Sequence, residues 1–155
     1  MAGSTNVSAL LKQLSSASLT LSEASNKLTE QIKEIEVSLA SYNLGVVTWV
    51  ELRRTREEID PSVAYVYRVD SLGYSKKNGK WGLYVTSSIE EVEHYESWLL
   101  RDAPRDLRIL AVDAIPKLLE AMVAKAKELA TEVASKTDRA RVLANSLRSK
   151  PKKGE

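Results

Sequence analysis

Residues 7–42 read VSALLKQLSSASLTLSEASNKLTEQIKEIEVSLASY. Alternating steps of three and four from Val7 pick out Leu10, Leu14, Ala17, Leu21, Ala24, Leu28, Gln31, Ile35, Ser38 and Tyr42. That spacing sets the rungs along one side of an α-helix as a narrow apolar seam. A second ladder of equal length stands at the other end of the chain. It runs Val112, Ile115, Leu119, Met122, Ala126, Leu129, Val133, Lys136, Ala140, Leu143 and Leu147. Two matched seams, joined by a segment with strand periodicity, predict that the ends pack on each other as an antiparallel helical hairpin. In that hairpin Val7 lies beside Leu147 and Tyr42 beside Val112. Gln31 and Ser38 then make the seam polar near the strands, and Lys136 meets the small residues Ala17 and Ser18.

The first helix is predicted over 5–43, capped by Ser4 or Thr5 and stopped by Gly45. Its outer positions carry Ser8, Ser15, Ser16, Ser18, Ser22 and Ser25 where Lys and Glu are usual. Serine is a mediocre helix former, so this helix depends on packing. Leu11, Ile32 and Leu39 widen the apolar stripe beyond a two-position seam. A stripe of that width suits a four-helix bundle made by dimerisation, or partial cover by the strands. The second helix is predicted over 104–147, opened by Asp102 and Pro104, with Pro116 expected to kink or split it.

Between the helices the period changes to two, which predicts a β-meander over 46–88. The segment 46–52 reads as a first strand and 53–62 as a charged loop with Pro61 before the next strand. Val63, Tyr65, Tyr67 and Val69 alternate through the second. Asn78-Gly79 marks a two-residue hairpin, because both central positions of a type I′ turn need positive φ. Pairing outward from it sets Lys76 opposite Trp81, Tyr74 opposite Leu83 and Leu72 opposite Val85. The apolar parity of the second strand shifts near residues 70–73, where a bulge or sharp bend would reconcile its halves. Residues 89–103 read as an acidic turn or short helix, and 148–155 as a disordered tail. The predicted fold is α+β, one domain over 1–155, with a three-stranded antiparallel meander between the helices.

The composition narrows the function. The chain has 155 residues, 43% hydrophobic and 28% charged, with a formal net charge of +2. That charge is too small for bulk electrostatic attraction to nucleic acid. The absence of Cys excludes disulfides, thiolate metal sites and thiol nucleophiles, and fits a reducing compartment. The start of the sequence does not have the pattern of a signal peptide, and no stretch is apolar for long enough to cross a membrane. A cytoplasmic protein is expected, with no membrane partner.

All three Trp and six Tyr lie between Tyr42 and Trp98, and there is no Phe. Each of these side chains has a polar handle, as residues at half-exposed interfaces do, although a small sheet also needs bulk for its own core. Arg101, Arg105 and Arg108 share one face at the start of the second helix. Cations there oppose the helix dipole, which a bound anion would relieve; pairing with the acidic run 90–96 is the competing reading. The candidate partner or anion site is therefore Arg101, Arg105 and Arg108 with Tyr65, Tyr67 and Trp81. Arg53, Arg54 and Arg56, the tail lysines and the aromatic strands give an alternative, a nucleic-acid interface, opposed by Glu57, Glu58 and Asp60 beside the arginines.

Other chemistry finds little support. Glu91 and His94 have the Glu-x-x-His spacing of di-iron bundles, but the chain holds only one His. Residues 73–80 are spaced wrongly for a phosphate loop, and strands rather than a helix flank them. No catalytic residue, cofactor or metal is expected. The function expected is that of a non-enzymatic interaction or adaptor protein. It would associate with itself as a homodimer through its helices, in coiled-coil fashion, and recognise an unidentified protein through its aromatic head.

Overall fold

The computed structural model describes residues 2–58, 62 and 65–149, with side chains from Asn6 onward. The elements are α1 (Ala2–Ser41), β1 (Thr48–Glu57), β2 (Val66–Lys77), β3 (Lys80–Ile89), β4 (His94–Leu99), a 3-10 turn (Leu100–Asp102) and α2 (Arg105–Arg148). The fold is α+β, with two long helices and an antiparallel meander in the order β1-β2-β3-β4. Pro61, Val63 and the tail from 150 to 155 lie outside the described residues.

The sheet has four strands, not three. Glu91 adopts φ 65° and the His94 amide donates to the Val92 carbonyl, so 90–93 forms a tight turn instead of a helix. The chain then returns along β3, pairing Ile89 with His94 and Tyr84 with Leu99. β1 also runs on through Arg53, Arg54 and Arg56 to Glu57, where a loop was expected. It is an edge strand, and edges tolerate charge because one side faces water. The Asn78-Gly79 hairpin has the expected register, with Lys76–Trp81, Tyr74–Leu83 and Leu72–Val85 as partners. The bulge sits on β1, between Glu51 and Arg53, while β2 itself stays regular.

Both helices cover one face of this sheet, α2 beneath β1 and β2, and α1 beneath β3 and the 3-10 turn. Val50, Leu72 and Val85 stand in register on that face, as do Tyr74 and Leu83 beside them. They meet Ile32 and Leu39 of α1 and Leu107, Ala111, Ile115, Leu118 and Met122 of α2 in a single core. Pro116 lies inside one continuous helix, so the second ladder is not split. Gly45, at φ 62°, and Asn43, at φ 50°, turn the chain out of α1.

The helices do not form the expected antiparallel hairpin within the chain. Arg108, near the start of α2, bonds Ser25 and Thr29. Further along, Leu119 lines a hollow with Ile35 and Leu39, and Ala126 to Ala134 line another with Leu44 and Val46. Residue numbers therefore rise together, and α1 and α2 pass each other in the same direction. The segment 100–104 sets this direction by carrying the chain from the end of β4 across to β1.

One consequence is that each helix overshoots the other. Every described side chain from residue 6 to 24 is exposed, and so is every one from 127 to 149. These two arms leave the head at opposite ends. Both ladders continue along them in the open, with Leu14 and Leu143 each 65% exposed. Among the described residues, no helix is long and apolar enough to cross a membrane.

Candidate functional site

Among the described residues, no helix lies over the sheet's other face. There Trp49, Gly73, Tyr84 and Leu99 form one row across the four strands. Trp49 lies flat over Gly73, whose missing side chain makes room: a Cβ at that position would stand 2.2 Å from the indole. Any larger residue would push the ring off the sheet. The Lys77 ammonium sits 4.6 Å above the Tyr84 ring and donates to the Ser97 hydroxyl. Small polar residues, Ser71, Thr86 and Ser97, make the next row.

Toward the far end of this face, arginines stack on tyrosines. The Arg56 guanidinium is 3.9 Å from the Tyr65 ring centre, and Arg54 is 5.6 Å from that of Tyr67. Arg54 also donates to Glu90 at 2.7 Å and Glu51 at 3.3 Å. Tyr65 and Tyr67 thus stand in an uncovered aromatic and basic strip.

Trp81 does not join them. It lies on the helix-covered face, stacked on Tyr74 with ring centres 5.3 Å apart, and packs against the core. The alternation of β3 separates Trp81 from Tyr84 by one odd step, so the two rings point to opposite faces. Trp49, Tyr84 and Tyr95 are the aromatics of this face that the sequence reading did not select; Trp49 and Tyr95 are exposed, while Tyr84 is buried. Their phase follows from the hairpin register once β4 is added.

The three arginines of the 3-10 turn and α2 serve different ends. Arg101 is half-buried near Glu36, and Arg105 is exposed at the start of α2. Arg108 is held between the helices, donating to Thr29 Oγ1 at 2.6 Å and Ser25 Oγ at 2.9 Å. Two of the α1 serine and threonine positions therefore act as acceptors at the joint where α1 and α2 pass. Arg108→Ala is expected to cost about 1–3 kcal/mol, since it removes two charge-assisted hydrogen bonds. Arg105→Ala, on the surface, should change stability by no more than about 0.5 kcal/mol. Urea unfolding of the two variants measures the contrast.

A second joint ties the sheet to α2. Arg53 donates to Asp70 Oδ2 at 2.6 Å and to Asp106 Oδ2 at 3.0 Å, in the first turn of the helix. Asp70 is 1% exposed and its Oδ1 accepts no protein hydrogen bond. Arg53 bonds this buried carboxylate directly, and Arg68 adds attraction from nearby.

Glu36, on α1, faces the 3-10 turn. Burial pushes its carboxyl above the ordinary value of 4.5; Arg101 opposes the shift and Asp102 adds to it. Its Oε1 is buried without a hydrogen-bond partner among the described residues. A carboxyl raised in the fold stabilises most when protonated. Its contribution is complete below 4.5 and is lost as pH climbs through the raised value. Glu36→Gln should therefore raise the melting temperature at pH 7 and flatten its change between pH 7 and pH 4, as read by calorimetry.

His94 stands at the start of β4 with its Nε2 3.4 Å from Glu96, while Glu91 sits in the preceding turn. The described residues contain no group of three or more His, Asp or Glu placed to hold a metal ion. The surface features that remain are the two bare arms and the open sheet face. No protein-family model, curated protein or solved structure matches the chain.

Proposed function

We propose that this protein is a non-enzymatic, self-associating interaction protein. Its helical arms bind those of a second copy to make a homodimer, and the open aromatic face of its sheet recognises another protein. The observation that carries this reading is the exposure of both ladders along the arms. An isolated helix of about twenty residues is marginal in water, and a serine-rich one more so. Contiguous apolar seams of this length mark interaction surfaces. The antiparallel pairing of the two ladders, absent within one chain, is retained here as a pairing between copies. A Cys-free chain of this kind suits the cytoplasm.

Size-exclusion chromatography with light scattering tests the self-association. The expected mass is twice the chain's 17.2 kDa. A strict monomer at high concentration would end the proposal.

A second reading draws on the Arg54–Tyr67 and Arg56–Tyr65 stacks, since an open sheet with aromatics and arginines is one way to bind single-stranded nucleic acid. Glu51 and Glu90, which already hold Arg54, weigh against it. It requires steeply salt-dependent binding to a labelled single-stranded oligonucleotide, and absence of binding at low salt would dismiss it.

A further inference from the structure

We infer that the arms pair reciprocally: the α1 arm of each copy lies antiparallel along the α2 arm of the other, in a closed two-fold dimer. This rests on the self-association proposed above and specifies its geometry. Within one chain the helices run in the same direction, and their bare ends leave opposite sides of the head. A two-fold axis across the helices reverses the second copy. It then brings an α1 arm beside a partner α2 arm at both ends of the assembly at once.

The lengths match. Residues 6–24 make an arm about 28 Å long and residues 127–148 one of about 33 Å, at 1.5 Å per residue. All four arms are covered, and the assembly closes. Pairing like with like does less. A dimer through α1 arms leaves both α2 arms bare, and satisfying those as well propagates an open chain of copies.

Side-chain shape points the same way. With the bases and tips of unlike arms aligned, rungs of one ladder interlock with rungs of the other. Leu10 faces Ala140 of the second copy, Ala17 faces Val133, and Leu21 faces Leu129. Small residues thus meet larger ones in two of these three layers, as interdigitated helix seams require. Lys136 falls opposite Leu14, where its stem can lie on the leucine while the ammonium reaches water.

Charge discriminates further. The α2 arm carries Lys127, Lys136, Arg139, Arg141 and Arg148 against Glu128, Glu132 and Asp138. Two such arms side by side would bring like net charges together. The α1 arm carries only Lys12 and Glu23 on residues 6–24 and is otherwise lined by Ser, Thr and Gln. It presents a neutral flank to the basic arm. The unusual serines of α1 are in this view what allows unlike arms to pair closely.

The chain has no Cys, so single cysteines can report the geometry cleanly. Leu10→Cys and Ala140→Cys, both in exposed arms, are made separately, checked for native circular dichroism, and co-expressed with different tags. On mild oxidation or with a short bismaleimide, the mixture is expected to yield a covalent heterodimer that elutes with the wild-type dimer. Neither variant alone should cross-link. Self-linking of either variant, a mass that grows with concentration, or no heterodimer from a dimeric protein overturns the reciprocal arrangement while leaving self-association standing. A monomeric wild type overturns both.

Discussion

Replacing Leu14 and Leu21 together by Glu is expected to convert the proposed dimer to a monomer. Both side chains are on the bare part of α1, 65% and 47% exposed in the single chain, so neither supports the head. In the reciprocal dimer each arm pair buries both, and the dimer contains two arm pairs. At about 2 kcal/mol for each buried leucine, the dimer loses about 8 kcal/mol, which weakens the dissociation constant by more than about 10⁵-fold. Glutamate at position 21, facing Leu129, adds desolvation to that loss, while at position 14 the facing Lys136 offsets part of it. Light scattering reads the mass, and near-ultraviolet circular dichroism of the tryptophans and tyrosines shows that the head is unchanged. A variant that keeps the wild-type mass would show that α1 is not the contact.

The second large effect belongs to the core. Leu83→Ala is expected to destabilise the head by about 2–5 kcal/mol, because the site is packed from both sides and cannot collapse onto the cavity. Leu83 is fully buried where β3 meets the helices, in register with Tyr74 of β2. For a chain of this size, 1 kcal/mol moves the melting temperature by about 2–4 °C, so a fall of at least about 4 °C is expected. This loss should persist at every protein concentration, whereas the arm substitutions act through assembly and should fade on dilution. A melting temperature unchanged by Leu83→Ala would contradict the assignment of odd β3 positions to the covered face.

Particular residues explain how far the sequence could be read. Asn78-Gly79 settled the central hairpin because few residues tolerate positive φ at both positions of a two-residue turn, and the register then follows rung by rung. β4 was hidden because Glu90, Glu91 and Glu93 lower the apolar signal just before it, although His94, Glu96 and Trp98 alternate with Tyr95, Ser97 and Leu99. The far half of β1 was hidden for the same reason, since Arg53, Arg54 and Arg56 are charged residues on an exposed edge. Parity within β2 suggested a bulge, but parity is a property of a pair of strands, and the extra residue belongs to β1.

The ladders were legible as apolar seams and illegible as to what, if anything in the same chain, covers them. Period alone says that a face is apolar; it does not say which stretch of it packs on the sheet and which stays bare. The direction of α2 depends on the segment 100–104, which has no periodic signature. Of the candidate site, Tyr65 and Tyr67 reach the open face as arginine-stacked rings. The predicted hairpin register sets Trp81 in phase with Leu83 and Val85, and it is the regular run of β2, where a bulge was expected, that separates it from Tyr65 and Tyr67. Arg108 reads as a surface cation until Ser25 and Thr29 are brought beside it.

Amide hydrogen exchange on the wild-type protein tests the pairing of the arms, because it reads the arms themselves. Above the dissociation constant, amides of residues 6–24 and 127–148 should be protected like the core of the dimer. On dilution to monomer they should exchange rapidly while β2 and β3 remain protected. Arms that exchange freely at high concentration, or that stay protected in a monomer, would contradict the account.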